Sequence, residues 1–180
     1  VAHARPQDVK SLVLIDPVIG SPDRYDVNSS WFPKDQPHPT VFRKRWFSSP
    51  EQMYERFRNK EPYTNFSDAS LRAYCDYGLL PRSDGEDGFE LACAPEAEAS
   101  VYMTSQDNGD ILDIARSVSA PTIVVRAPIL EGLNFKSSPT WPELATCLAN
   151  GQDIHLPDAT HFMPFEAPAT IADIIKASIT

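Results

Sequence analysis

His161 is the residue whose type and setting could most readily do chemistry. It stands in the stretch Gln-Asp-Ile-His-Leu-Pro-Asp-Ala-Thr-His-Phe-Met-Pro-Phe-Glu-Ala-Pro-Ala, residues 152–169. A short strand over 153–156 gives way to a Pro157-Asp158 turn, and that turn presents His161 beside Phe162 and Met163. Pro164 and Pro168 then interrupt regular structure until an apolar helix starts near Pro168. An imidazole on a loop just beyond a strand's end can reach a crevice, and it exchanges its proton near neutral pH. General acid–base work is therefore open to it. The plain alternative is a histidine that satisfies a loop carbonyl. His155, inside the strand, reads as structural; His3 and His38 read as solvated. Cys75, Cys93 and Cys147 fall on helix-like segments and read as core rather than as nucleophiles.

The elements that must position this histidine follow from apolar patterning. In Val9-Lys-Ser-Leu-Val-Leu-Ile15 four apolar residues run in succession from Leu12 and stop at Asp16-Pro17. Such a run predicts a strand covered on both faces, as in a parallel sheet, with Asp16 at its end. Pro121-Thr-Ile-Val-Val125 predicts a second buried strand, and the strand ahead of His161 is the third. Between the first and second lies a helical block. Ser49-Pro-Glu-Gln52 places a cap residue, a first-turn proline and a glutamine at capping-box spacing. Ser67-Asp68 opens a helix with the stripe Leu71, Tyr74, Cys75 and a stop at Gly78. Further helices are predicted over 95–103, 111–116 and 141–149, and Ile171, Ile174, Ile175 and Ile179 stripe a terminal one. Strand–helix alternation around a helical insertion is an α/β pattern.

Composition narrows the partners. One hundred and eighty residues suit a single domain with a sizeable core, and 42% of them are hydrophobic. A net charge of −9 disfavours nucleic acid and acidic membranes. Three scattered cysteines argue against a disulfide framework or a zinc site and fit a reducing, cytoplasmic location. No spacing of His, Asp and Glu suggests a metal site. Neither G-x-G-x-x-G nor G-x-x-x-x-G-K-[ST] occurs, so no cofactor is expected.

Three segments taken together carry a family resemblance. Asp8-Val-Lys-Ser-Leu-Val-Leu-Ile-Asp-Pro17, Ala120-Pro-Thr-Ile-Val-Val-Arg126 and Leu156-Pro-Asp-Ala-Thr-His-Phe-Met-Pro-Phe-Glu-Ala-Pro168 resemble the last three core strands of an α/β-hydrolase. The block between the first two resembles caps of its lipase/esterase-like branch. The resemblance implies a core strand and flanks over 1–26, a helical cap over 27–118, and core strands carrying the acid and His loops over 119–180. It implies parallel strands with flanking helices, the C-terminal part of that fold. The family's nucleophile elbow, G-x-S-x-G, does not occur here. The expectation is therefore a C-terminal half whose serine, and most of whose oxyanion hole, are supplied by an N-terminal half.

The resemblance also implies roles. His161 is the expected general base, and a carboxylate should hold its tautomer. The turn Ala127-Pro-Ile-Leu-Glu131-Gly puts Glu131 at about the family's acid position, and Asp16, at the end of the first strand, is the rival. Glu131 ranks narrowly first. Trp31, Trp46 and Phe47 are candidates for a pocket wall, with Phe162 and Met163 bordering the histidine. The expected activity is cleavage of an ester, lactone or similar acyl bond in a small apolar substrate. The alternatives are an aspartate-nucleophile enzyme of epoxide hydrolase or dehalogenase type, and a non-catalytic protein that binds a ligand or partner in the same crevice.

Overall fold

The computed structural model describes residues 1–25, 35–105, 107–131, 134 and 136–179. In chain order the elements are β1 (Leu12–Ile15), β2 (Trp46–Phe47), α1 (Pro50–Phe57), α2 (Asp68–Tyr77), β3 (Leu79–Pro81), β4 (Phe89–Leu91), α3 (Pro95–Met103), α4 (Ile111–Arg116), β5 (Thr122–Arg126), β6 (Gly151–His155), α5 (Met163–Glu166) and α6 (Pro168–Ala177). Two compact units share them: Val1–Ser29 with Asp107–Thr180, and Ser30–Gln106. Among the described residues no helix is long and apolar enough to cross a membrane.

The first unit is a parallel sheet in the order β1-β5-β6, with Ile15 opposite Val125 and Arg126 opposite His155. Alternate residues of β5 explain its two covers. Val124 packs against Leu112, Ala115, Leu144 and Leu148 on one face. Val125 packs with Met163 and Ile171 on the other, where Val13, Ile15, Ile154 and Ile174 join them. Both valines are fully buried, as a central parallel strand requires. β1 is different. The apolar run predicts cover on both faces, yet all four of its residues stay half-buried, because among the described residues it pairs on one side only. α4, read as part of the cap span, instead supplies Leu112 and Ala115 to this core.

Two further elements depart from the sequence reading. The helix expected over 141–149 is only a 3-10 turn, Leu144–Cys147. The Trp141 amide donates to the Ile19 carbonyl (2.8 Å) and Leu148 is already extended, so no helical ladder forms. The proline expected to interrupt structure at 164 instead lies in the first turn of the short helix α5, where its missing N–H costs nothing.

The second unit is not purely helical as expected. It holds a small antiparallel sheet, β2-β4-β3, in which Phe47 faces Phe89 and Leu79 faces Leu91. Two of its helices start on side-chain caps: Ser49 accepts from the Gln52 amide and Ser67 from the Ser70 amide, each at 3.1 Å. Gln52 Oε1 accepts from Ser48 rather than Ser49, one residue short of a full capping box. Phe47, Met53, Phe57, Leu71, Cys75, Leu79 and Leu91 make the core.

Candidate active site

The carboxyl ends of the three parallel strands lie side by side, the place where open α/β sheets present their functional loops. Asp16 follows β1 directly. Its backbone is left-handed (φ 44°), the one such non-glycine among the described residues, and aspartate tolerates this region better than most. Its amide still donates to the Val125 carbonyl at 2.7 Å, so β1 stays in register up to the turn.

The side chain is 2% exposed and its oxygens are fully engaged. Oδ1 accepts from the Ala127 amide (3.1 Å) and the Ser138 hydroxyl (2.6 Å), and the Thr140 hydroxyl oxygen lies 3.3 Å from it. Oδ2 lies 2.7 Å from His161 Nδ1. Burial by itself would raise the Asp16 pKa. The hydrogen bonds from His161, Ser138 and the Ala127 amide, with the charge of His161, outweigh it and hold the carboxyl below its usual range. Hydrogen bonds to a charged acceptor contribute about 1.5–3 kcal/mol each, so several together can offset the desolvation of one carboxylate.

His161 comes from the other side of β5. After β6 the chain turns, with the Ala159 amide donating to Leu156 (3.2 Å), and Glu166 of α5 reaches back. Its carboxylate accepts from both the Thr160 amide (3.0 Å) and the Thr160 hydroxyl. The Thr160 hydroxyl oxygen in turn accepts from the Phe162 amide at 3.2 Å. The His161 amide donates to the Lys136 carbonyl at 2.9 Å. The loop is therefore tied down on both sides of the imidazole, whose side chain remains one-third exposed.

The pairing fixes the tautomer. An ionised carboxylate can only accept, so Nδ1 carries the proton and, in the neutral ring, Nε2 is the bare lone pair. Among the described residues Asp16 is the ring's hydrogen-bond partner, which leaves Nε2 for proton transfer. A base held in one tautomer, with a buried anion to stabilise its protonated form, is equipped to take a proton from a hydroxyl and return it to a leaving group.

The structure reorders the candidate acids. The carboxylate against His161 is Asp16, 145 residues away in sequence, and not Glu131, which is exposed in a bend. Two of the expected pocket residues are core instead. Met163 is fully buried with Val125 and Ile171, and Phe47 is buried in the second unit with its ring edge-on to Phe57. Neither has surface to offer a ligand. Trp46 is half-exposed, with the Arg45 and Arg82 guanidiniums over its ring. Phe162 lies edge-on to the imidazole, ring centroids 5.7 Å apart. Trp31 lies outside the described residues. Ser138, Thr140 and Glu166 were not foreseen; hydroxyl and acidic residues are ordinary in loops, and only the folded contacts single them out. No group of three or more His, Cys, Asp or Glu able to hold a metal occurs among the described residues.

No protein-family model and no curated protein sequence matches the chain. Solved structures do. The chain superposes on the peroxisomal alpha-beta-hydrolase Lpx1 of Saccharomyces cerevisiae with a TM-score of 0.72 at 18% identity, covering 99% of this chain and 47% of that one. It is similar to E-2-(acetamidomethylene)succinate hydrolase (TM-score 0.66, 17% identity, 99% of this chain and 60% of that). It is also similar to a thioesterase domain from the curacin biosynthetic pathway (TM-score 0.61, 14% identity, 97% and 60%). The chain thus spans about half to three-fifths of the length of these structures. Strand order, the loops at the carboxyl ends of the strands and these superpositions agree: the chain has the α/β-hydrolase fold.

Proposed function

We propose that this chain is the His- and acid-bearing part of a serine hydrolase that cleaves an ester, lactone or similar acyl bond in a small apolar substrate. The observation that carries the reading is the 2.7 Å contact between His161 Nδ1 and the buried Asp16 carboxylate. The neighbours named as a hydrolase and a thioesterase support acyl-bond cleavage as the reaction class. The sequence has no G-x-S-x-G, and the chain spans 47% of the first of those neighbours. In the proposal the serine therefore comes from a segment outside these 180 residues, on the side of β1 that has no strand partner among the described residues.

Nε2 of His161 takes the serine proton as the oxygen attacks the substrate carbonyl. Asp16 stabilises the resulting imidazolium without becoming protonated. Collapse of the tetrahedral intermediate gives the acyl-enzyme, and Nε2–H protonates the departing alcohol. Water, activated by the same nitrogen, then releases the acid and restores the serine. The His161–Asp16 contact supports the catalytic reading over a non-catalytic protein that binds a ligand or partner in the same crevice.

A fluorophosphonate probe applied to the complete protein tests the nucleophile. Labelling at a serine, much slowed in His161→Ala, is the expected result. An unlabelled protein that still opens epoxides or releases halide would instead indicate an aspartate nucleophile.

A further inference from the structure

The loop that was expected to bear the acid does something else. Ser138 is 7% exposed and makes three directed contacts. Its amide donates to the Pro128 carbonyl (3.0 Å), closing the loop on itself. Its Oγ accepts from the Thr140 amide (3.2 Å), so its single hydroxyl proton is left to point elsewhere, and it points to Asp16 Oδ1 at 2.6 Å. A serine hydroxyl has one proton to give, and here the acceptor side of the oxygen is already taken. Thr140 is oriented differently. Its hydroxyl lies 2.7 Å from the Pro17 carbonyl and 3.3 Å from Asp16 Oδ1, so its proton goes to Pro17 and anchors the loop beside the acid. Two residues before Ser138, the Lys136 carbonyl accepts the His161 amide. One five-residue segment, 136–140, thus grips the backbone of the histidine and the carboxylate of the aspartate together.

We propose that Ser138 is a positioning residue: its hydroxyl fixes Oδ1 of Asp16, so that Oδ2 faces His161 Nδ1 in one orientation. The inference rests on the hydrolase reading and adds a residue to it. Without that hydroxyl, Oδ1 keeps the Ala127 amide and the longer Thr140 contact, the carboxylate gains freedom to rotate, and the imidazole loses its fixed partner. Of the charged groups on the neighbouring elements, Glu166 is bound to Thr160.

The test compares Ser138→Ala, Ser138→Thr and Ser138→Cys in the complete protein by p-nitrophenyl ester kinetics and by the proton resonance of His161 Nδ1–H. Loss of a hydrogen bond to a charged group predicts kcat lowered roughly tenfold or more with KM little changed. The downfield Nδ1–H resonance should move or broaden in the Ala variant, and Ser138→Thr, which keeps the hydroxyl, should restore both. If Ser138→Ala does not fold, Ser138→Cys keeps the side chain's size but donates weakly, and should show the same two losses. A Ser138 variant that is merely less stable, with kcat and the resonance unchanged, overturns the proposal. If His161→Ala also retains full turnover, the hydrolase reading fails as well; if it abolishes turnover, only the role of Ser138 falls.

Discussion

Asp16 is a carboxylate taken out of water and then supplied with donors, so removing its charge should cost more than removing a side chain of similar size elsewhere. Asp16→Asn places an amide against His161 Nδ1 and favours the wrong tautomer. Ester turnover by the complete protein is expected to fall roughly a thousandfold or more, while Glu131→Gln, at an exposed bend, should leave it within about twofold. Parallel kinetics of the two variants check this. The same carboxylate makes stability depend on pH. Its folded pKa lies below the usual 3.8, so near that value the unfolded chain binds more protons than the folded one. The stability it contributes is complete above about pH 3.8 and is lost as pH falls through its lower folded pKa. Urea midpoints followed downward from about pH 5 should therefore fall more steeply for the wild type than for Asp16→Asn. At this scale the sequence discloses the histidine, because a strand followed by a Pro-Asp turn is a local signal. Its partner is not local. Asp16 ends β1 and Glu131 lies in the loop after the adjacent strand β5, and only the folded contacts at Asp16 decide between them.

Strands and capped helices were legible because they depend on neighbours in sequence: the run Leu12–Ile15, Ser49 and Ser67 as caps, Gly78 as a stop. Elements fixed by distant packing were not. β2, β3 and β4 are two or three residues long, too short to show alternation, and exist because Phe47, Leu79 and Leu91 bury together. Gly151 is instructive. Asn150-Gly151 reads as a helix end, yet the glycine opens β6, and a Cβ there would sit 2.0 Å from the Ala145 carbonyl oxygen. Backbone cannot yield as a flexible side chain can, so Gly151→Ala should displace the 3-10 turn or the start of β6. A loss of roughly 1–3 kcal/mol in a denaturation experiment is expected. Met163 carries a second prediction. It lies two residues after His161 but points into the core, so Met163→Ala should lower stability by about 2–5 kcal/mol. Its effect on KM should be slight, unlike that of a pocket residue.

On the scale of the whole molecule, three parallel strands carry two layers of cover, but β1 presents an edge without a strand partner among the described residues. Unpaired apolar edges invite association. These 180 residues produced alone are accordingly expected to be inactive and poorly soluble, and to gain activity and solubility when co-produced with the segment proposed to carry the nucleophile. Light scattering and ester turnover on the two preparations would read this, and a monodisperse, active preparation of the chain alone would contradict it. The fold class was legible because the strand segments occur in order with their loops. What they act on was not, since the sequence carries no local signal for the shape of a substrate pocket. The most direct measurement is p-nitrophenyl ester turnover by the complete protein carrying His161→Ala, with folding checked by circular dichroism. The account predicts a folded protein with turnover abolished; a folded variant that hydrolyses the ester at the wild-type rate would contradict it.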